Sequence, residues 1–371
     1  MRWIIGLLFL AATSSSFSQD PYLFVGTYTS GKSKGIYVYR FNTASGTATE
    51  VSTLQADNPS YLAITPDGKH LYSANESGGP SSSVGAYSFD PETGRLLSLN
   101  TQSSQGRGAC YVSIDKTGKW VFVANYSSGS LAALPVNSDG SLAPAAQVIQ
   151  HSGPVFLKER QGKPHVHSTI FSPDEKFLYV ADLGTDKEHI YRFDPNQSMP
   201  LTEATDSFVS VEPGSGPRHI AFHPDKPFVY LISEISGTVD AFHYDKNSGK
   251  LDHFQRIRTT PADFTANADG ADIHISADGR FLYASNRGLS NTIAVFSISP
   301  DGKLTNKQYI SVNGKHPRNF AIDPTGRFLL VANQDSDNIV IFAIDPSTGL
   351  LKATGNELSV PNPVCLKFLV R

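Results

Sequence analysis

Cysteine is almost absent from this chain, with only Cys110 and Cys365 in 371 residues. A disulfide-framework scaffold is therefore excluded, and at most one bridge could form. Both cysteines begin equivalent strands in different repeats, as set out below, so two small, partly buried thiols are expected. An excess of one charge is lacking too. Lys plus Arg number 31 against 34 Asp plus Glu, a formal net charge of −3, and no basic block occurs. That leaves no surplus positive charge for a phosphate backbone, and nucleic acid is not an expected partner. Beyond the N-terminus no stretch approaches the ~20 apolar residues of a membrane span. Helical periodicity is missing as well. Apolar residues alternate or form short blocks bounded by Gly and Pro, of which there are 30 and 23.

The N-terminus reads Met1-Arg2, then an apolar stretch from Trp3 to Ala12, then a small polar exit through Ser18. This is the order of a signal peptide, so residues 1–18 are expected to be removed and the mature protein to be soluble and exported, periplasmic or secreted. Residues 19–371 are read as one domain.

Seven segments open a short apolar strand in the same way: Tyr61–Ile64, Tyr111–Ile114, Ser168–Phe171, His219–Phe222, Asp272–Ile275, Asn319–Ile322 and Cys365–Phe368. Their last residues lie 50, 57, 51, 53, 47 and 46 positions apart. A period of that size marks a repeated supersecondary unit. The first six segments run into a turn such as Pro66–Lys69 or Pro324–Arg327, and then into a second strand such as Phe281–Ser285. A third strand (Gly35–Phe41, Thr292–Phe296, Asn338–Phe342) and a weaker fourth follow. Each unit is a four-stranded antiparallel meander. The N-terminal Tyr22–Gly26 matches a second strand and the C-terminal Val364–Phe368 a first, so the two ends complete one unit. The expected fold is all-β, a seven-bladed β-propeller closed by its terminal strands, and such a ring is consistent with a monomer.

In such a blade the loop before the first strand and the loop between the second and third lie at the same end, around the channel mouth. Reading the repeats at these two positions gives two columns. The first is Ser60, Cys110, His167, Arg218, Ala271, Arg318 and Val364. The second is Tyr28, Glu76, Tyr126, Leu183, Glu234, Arg287 and Gln334. The chemistry therefore concentrates in His167, Arg218, Glu234, Arg287 and Arg318, with Glu76 across the ring. His165, His274 and His316 flank the same loops and are candidates to line the mouth. Three arginines against two carboxylates would leave the mouth positive and receptive to an anion. The competing explanation is a set of ion pairs tying blades together. The residues one step before the second column (Asn75, Asn125, Asp182, Ser233, Asn286, Asn333) are expected to cap turns. His219 and His223 are expected in packing or turn roles. No His/Asp/Glu cluster shows metal-ligand spacing, and no metal or cofactor is expected.

These same loops carry Asn58–Tyr61, Pro164–Ser168, Gly216–His219, Ser233-Glu234, Ile273–Ser276, Ser285–Gly288 and Pro317–Phe320. Together these phrases resemble the lactonase family that contains bacterial 6-phosphogluconolactonase and fungal carboxymuconate-lactonising enzyme. The resemblance runs from about Tyr22 to Phe368. It implies a seven-bladed propeller, a small anionic lactone as substrate and no metal, and it places His167, Arg218, Glu234 and Arg287 at positions proposed as the family's active site.

The expected reaction is hydrolysis of a sugar lactone, with or without a phosphate, to its aldonic acid. Glu234 or His167 would deprotonate water, Arg218 and Arg287 would stabilise the oxyanion, and Arg318 would assist. Two alternatives use the same residues or the same fold: a muconate-type lactonising enzyme running the chemistry in reverse, and a non-catalytic periplasmic binding module. No Gly-x-Ser-x-Gly elbow occurs, so Ser168 is read as a strand-start hydrogen-bonding residue and not as a nucleophile.

Overall fold

The computed structural model describes residues 20–77, 82–154 and 156–369; the expected signal segment lies outside them. Seven four-stranded antiparallel sheets form, each a simple meander. Blade 1 contains Tyr22–Thr27, Gly35–Asn42 and Thr47–Gln55, with the C-terminal Pro363–Leu369 as its first strand. Blades 2 to 7 begin with Pro59–Ile64, Ala109–Ile114, Val166–Phe171, Pro217–Phe222, Gly270–Ile275 and Pro317–Ile322. These first strands pack against one another around the channel. The expected ring closure is realised. Tyr22 pairs with Leu369 and Val25 with Leu366, joining residues more than 300 positions apart.

The strand sequences account for these positions. Second strands such as Phe281–Asn286 and Phe328–Asn333 are buried along their whole length, because both faces meet neighbouring blades. Fourth strands such as Leu351–Ser359 alternate between exposed and half-buried residues, as an outer edge facing water should.

Blades are bolted together by a recurring contact. Tyr72, Tyr179, Tyr230 and Tyr283 lie in second strands, and their hydroxyls donate to the carbonyls of Gly140, Gly249, Gly302 and Gly349 in the next blade, at 2.9, 2.5, 2.7 and 3.0 Å. Glycine is required there on two counts. Gly302 and Gly349 have φ of +85° and +72°, and a Cβ on either would sit within 2.8 Å of the ring of Phe228 or Phe281.

One irregularity repeats in all seven blades. The pairing of first and second strands slips at the mouth end, leaving Ser60, Cys110, His167, Arg218, Arg318 and Val364 outside the ladder, and Ala271 with Asp272 in blade 6. This is the first column of the repeat. In a regular strand consecutive side chains point to opposite faces, whereas a bulge re-aims the inserted one. Arg218 and its neighbour His219 consequently turn to the same side and touch, Nη1 to Nε2, at 3.2 Å.

The two cysteines are buried free thiols, as expected. Because the C-terminal strand supplies the innermost layer of blade 1, Leu366→Ala, at a fully packed position, should lower stability by about 2–5 kcal/mol. Equilibrium urea unfolding measures this; an unchanged midpoint would mean that the terminal strand does not secure the ring.

Candidate active site

Glu234 is the hub of the mouth. It follows the second strand of blade 5, with its backbone N–H bonded to the carbonyl of Gly216 at 2.7 Å. Its carboxylate accepts from Arg218 Nε at 3.0 Å and lies 2.8 Å from Arg287 Nη2, while its other oxygen accepts from Arg160. Burial opposes its ionisation, but Arg287, Arg218, Arg160 and Arg318 outweigh that and hold its pKa at about 2.

Each arginine is fixed from behind. Arg218 is 1% exposed and also donates to the carbonyl of Ala271. Burial first, then Arg287 and Arg318, bring its pKa down to about 10, so it stays charged. Arg287 reaches Asp269 Oδ1 at 2.9 Å. Arg318 faces Glu76 at 3.7 Å and lies over the ring of Tyr28, whose hydroxyl donates to Glu76 at 2.7 Å. Four guanidinium groups thus meet the three carboxylates Glu234, Asp269 and Glu76, with a fourth carboxylate, Asp272, behind His219. The blade-tying role is real as well, since Glu234 and Arg287 belong to adjacent blades.

His167 lies beside this cluster, buried, edge-on to His219 (5.4 Å between ring centroids) and to Tyr126 (5.7 Å). Its Nδ1 is buried without a hydrogen-bond partner. Burial, and then the charges of Arg218, His219, Arg318 and Arg287, push its pKa well below the ordinary value. It is a neutral imidazole with a free nitrogen inside a ring of cations.

The other expected residues divide. His165 stacks on Tyr126 at 4.4 Å and bonds its carbonyl at 2.9 Å, at the rim. His316 pairs with Asp335 at 3.4 Å; burial and Arg287 bring its pKa down to about 4. His274 falls elsewhere. It bonds Asp272 at 3.0 Å and lines a cavity of about 320 Å³ with Tyr61, Tyr111, Ile275 and Lys367. Two or three residues beyond the bulge, the strand has carried it away from the mouth.

His219 packs as expected, buried and edge-on to Tyr61 and Tyr111, and it also belongs to the hydrogen-bonded network of the site. Its Nδ1 donates to Asp272 Oδ1 at 2.8 Å, which leaves Nε2 to accept from Arg218, since a guanidinium can only donate. Asp272 also accepts from His274 and from Asn319. His223 is a turn residue as expected, accepting from the N–H groups of Asp225 and Lys226. The Asn column does not cap turns as a set: Asn125, Asn286 and Asn333 donate instead to the carbonyls of Ser104, Thr259 and Val312, 21 to 27 positions earlier, whereas Asp182 caps its turn by accepting from the N–H groups of Gly184 and Thr185. Ser168 does not take its expected role, because its Oγ is buried without a partner. Cys110, one bulge away, is held as a thiol by burial, which pushes its pKa far up.

Arg160, Asp269 and Asp272 escaped the repeat columns. Arg160 arrives on the segment between blades 3 and 4, and the only signal for it was the 57-residue interval, the longest in the chain.

Comparison with known proteins agrees with this architecture. Residues 22–368 match the family described as lactonase, 7-bladed beta-propeller. A 6-phosphogluconolactonase of Bacillus subtilis is 39% identical over 348 residues, 93% of this chain and 97% of that one. A 6-phosphogluconolactonase of Formosa agariphila is 40% identical, covering 91% and 96%. The solved structure of the Pseudomonas aeruginosa periplasmic gluconolactonase PpgL superposes with a TM-score of 0.90 at 41% identity, covering 94% and 99%.

The depressed pKa of Glu234 makes a linked prediction. The folded carboxyl (about 2) binds protons less readily than the unfolded one (4.5). Its stabilisation is therefore present above the unfolded value and lost as pH falls toward the folded one. The stability difference between wild type and Glu234→Gln should shrink from about pH 5 to pH 3, read from urea midpoints; a difference independent of pH would contradict the assignment.

Proposed function

Because the chain belongs to the lactonase family of seven-bladed β-propellers, we propose that it is a lactone hydrolase that opens a sugar lactone, phosphorylated or not, to its aldonic acid. One observation carries the reading: a single buried carboxylate, Glu234, gathers Arg160, Arg218 and Arg287 beside the unpartnered imidazole of His167.

The mechanism assigns the base to His167. Glu234, held near pKa 2 by its arginines, is a weak base and serves as the anion that holds them in register. His167 is neutral and has a free nitrogen. Its basicity is depressed in part by cations, so an anionic substrate that neutralises them raises it toward the working range. Water attacks the ring carbonyl as His167 takes its proton. Arg218 and Arg287 carry the charge that develops on the carbonyl oxygen. When the tetrahedral intermediate collapses, the bond from the carbonyl carbon to the ring oxygen breaks, and the imidazolium returns its proton to the departing alkoxide. Arg318 and Arg160 hold the substrate's anionic group, with Glu76, His165 and His316 at the rim.

Export to the periplasm or beyond is part of the proposal. It is supported by the signal-like order of residues 1–18 and by the periplasmic gluconolactonase among the relatives. In that compartment an unphosphorylated sugar lactone is the favoured substrate.

The test is hydrolysis of a lactone panel with and without a 6-phosphate. Arg287→Ala should lower kcat/KM by about 100-fold or more, and His167→Asn should lower kcat with a smaller effect on KM. Wild-type rates in Arg287→Ala would sink the oxyanion assignment, and no turnover of any lactone by the unaltered chain would sink the activity.

A further inference from the structure

The fold gathers a second cluster outside the channel mouth, between blades 3 and 4. His151 follows the last strand of blade 3, Gln147–Gln150; Asp182 ends the second strand of blade 4, Phe177–Asp182; His189 lies in the third, Lys187–Phe193. One ligand atom from each lies within 4.8 Å of the others. His151 and Asp182 are buried, and the two imidazole rings sit 4.0 Å apart between centroids.

Several features exceed what an ion pair needs. His151 Nδ1 lies 3.0 Å from Asp182 Oδ2, close to the ~3.4 Å that separates two atoms bound to one tetrahedral ion at about 2.1 Å. His151 Nε2 is 3.0 Å from the hydroxyl of Tyr191. Asp182 Oδ1 accepts from the backbone N–H groups of His165 at 2.8 Å and Gly184 at 3.0 Å. Metal ligands are commonly oriented by such outer bonds, a ring N–H for the imidazole and donors for the carboxylate. By contrast, Nε2 of His189 is buried with no partner. Among the described residues no Lys or Arg forms an ion pair with Asp182. A buried polar atom left unpaired is costly, and a bound cation would satisfy it.

We propose that His151, Asp182 and His189 form a binding site for a transition-metal ion of the Zn²⁺ class, with water completing the coordination. Two imidazoles and one carboxylate suit such an ion, and the three ligands from two blades would clamp the seam between them. The site also sets the position of a functional segment. Residues 151–165 leave the cluster at His151 and return to it where the His165 N–H meets Asp182, and midway they carry Arg160 to Glu234. The ion braces both ends of that excursion and takes no part in the reaction at the mouth.

The experiment uses the untagged mature chain, stripped with a chelator and dialysed, titrated with Zn²⁺ by calorimetry. Saturable 1:1 binding is expected, with a rise in Tm on adding Zn²⁺. In His189→Gln the affinity should fall by more than the roughly 10–100-fold that losing an outer-shell partner costs, and the rise in Tm should vanish. Co²⁺ added to the unaltered chain should give the intense visible bands of a four-coordinate site, displaced by Zn²⁺, a readout that needs no variant to fold. Absence of saturable binding, or binding that His189→Gln and His151→Gln both leave intact, would overturn the proposal; so would Co²⁺ bands of six-coordinate strength.

Discussion

Everything at the channel mouth depends on how the first strand of each blade pairs with the second. Each ladder ties a first strand to its own blade, the seven first strands pack side by side, and the pairing of Tyr22–Thr27 with the C-terminal Pro363–Leu369 closes that row into a ring. Within the ring, the slip at each first strand frees one residue from the ladder, or two in blade 6, at the mouth end. Without closure the two columns of polar residues would lie along a curved edge. With it they converge on Glu234 from blades 5 and 6, and from the segment before blade 4.

The convergence creates an electrostatic problem that the protein solves asymmetrically. Burying Arg218 almost completely is unfavourable unless its donors are occupied, and they are: by Glu234, by the carbonyl of Ala271 and by His219. His219 can accept only because Asp272 takes its other nitrogen, and Asp272 is in turn tied to His274 and Asn319. A line of bonded groups therefore runs from the channel mouth into the deeper channel. Nδ1 of His167, beside the arginines, is left without a partner, which is where the proposed mechanism needs an acceptor. Neutral imidazole and concentrated positive charge are maintained together, because the same burial and the same cations that would bind an anion disfavour protonation of His167.

The irregular segment between blades 3 and 4 departs from the repeat and adds what the repeat does not contain. A symmetric ring offers equivalent positions, and only an insertion can bring a side chain such as Arg160 over the mouth from outside the columns. Its anchoring at His151 and at His165 ties the outer seam of blade 4 to the site at the centre.

Much of this was legible in the linear chain. The seven strand signatures, the turn residues and the out-of-phase ends determined the propeller and its closure, because a period-2 strand pattern repeated at about 50 residues has few ways to bury its apolar faces. The two columns located His167, Arg218, Glu234, Arg287 and Arg318, because antiparallel meanders place equivalent loops at one end. Sequence could not decide which of two carboxyl or imidazole groups would act as base, since that follows from how many arginines surround Glu234 and from whether His167 finds a partner. Nor could it reveal the roles of His219 with Asp272, of Arg160 with Glu234, or of His151 with Asp182 and His189. Those pairs are 53, 74 and 31 to 38 positions apart, and they meet across blade boundaries or at bulges, where strand periodicity no longer says which way a side chain points. The sequence alone determined the ring and the position of its mouth; the charge state of each group there was decided by burial and by neighbours that only the folded ring supplies.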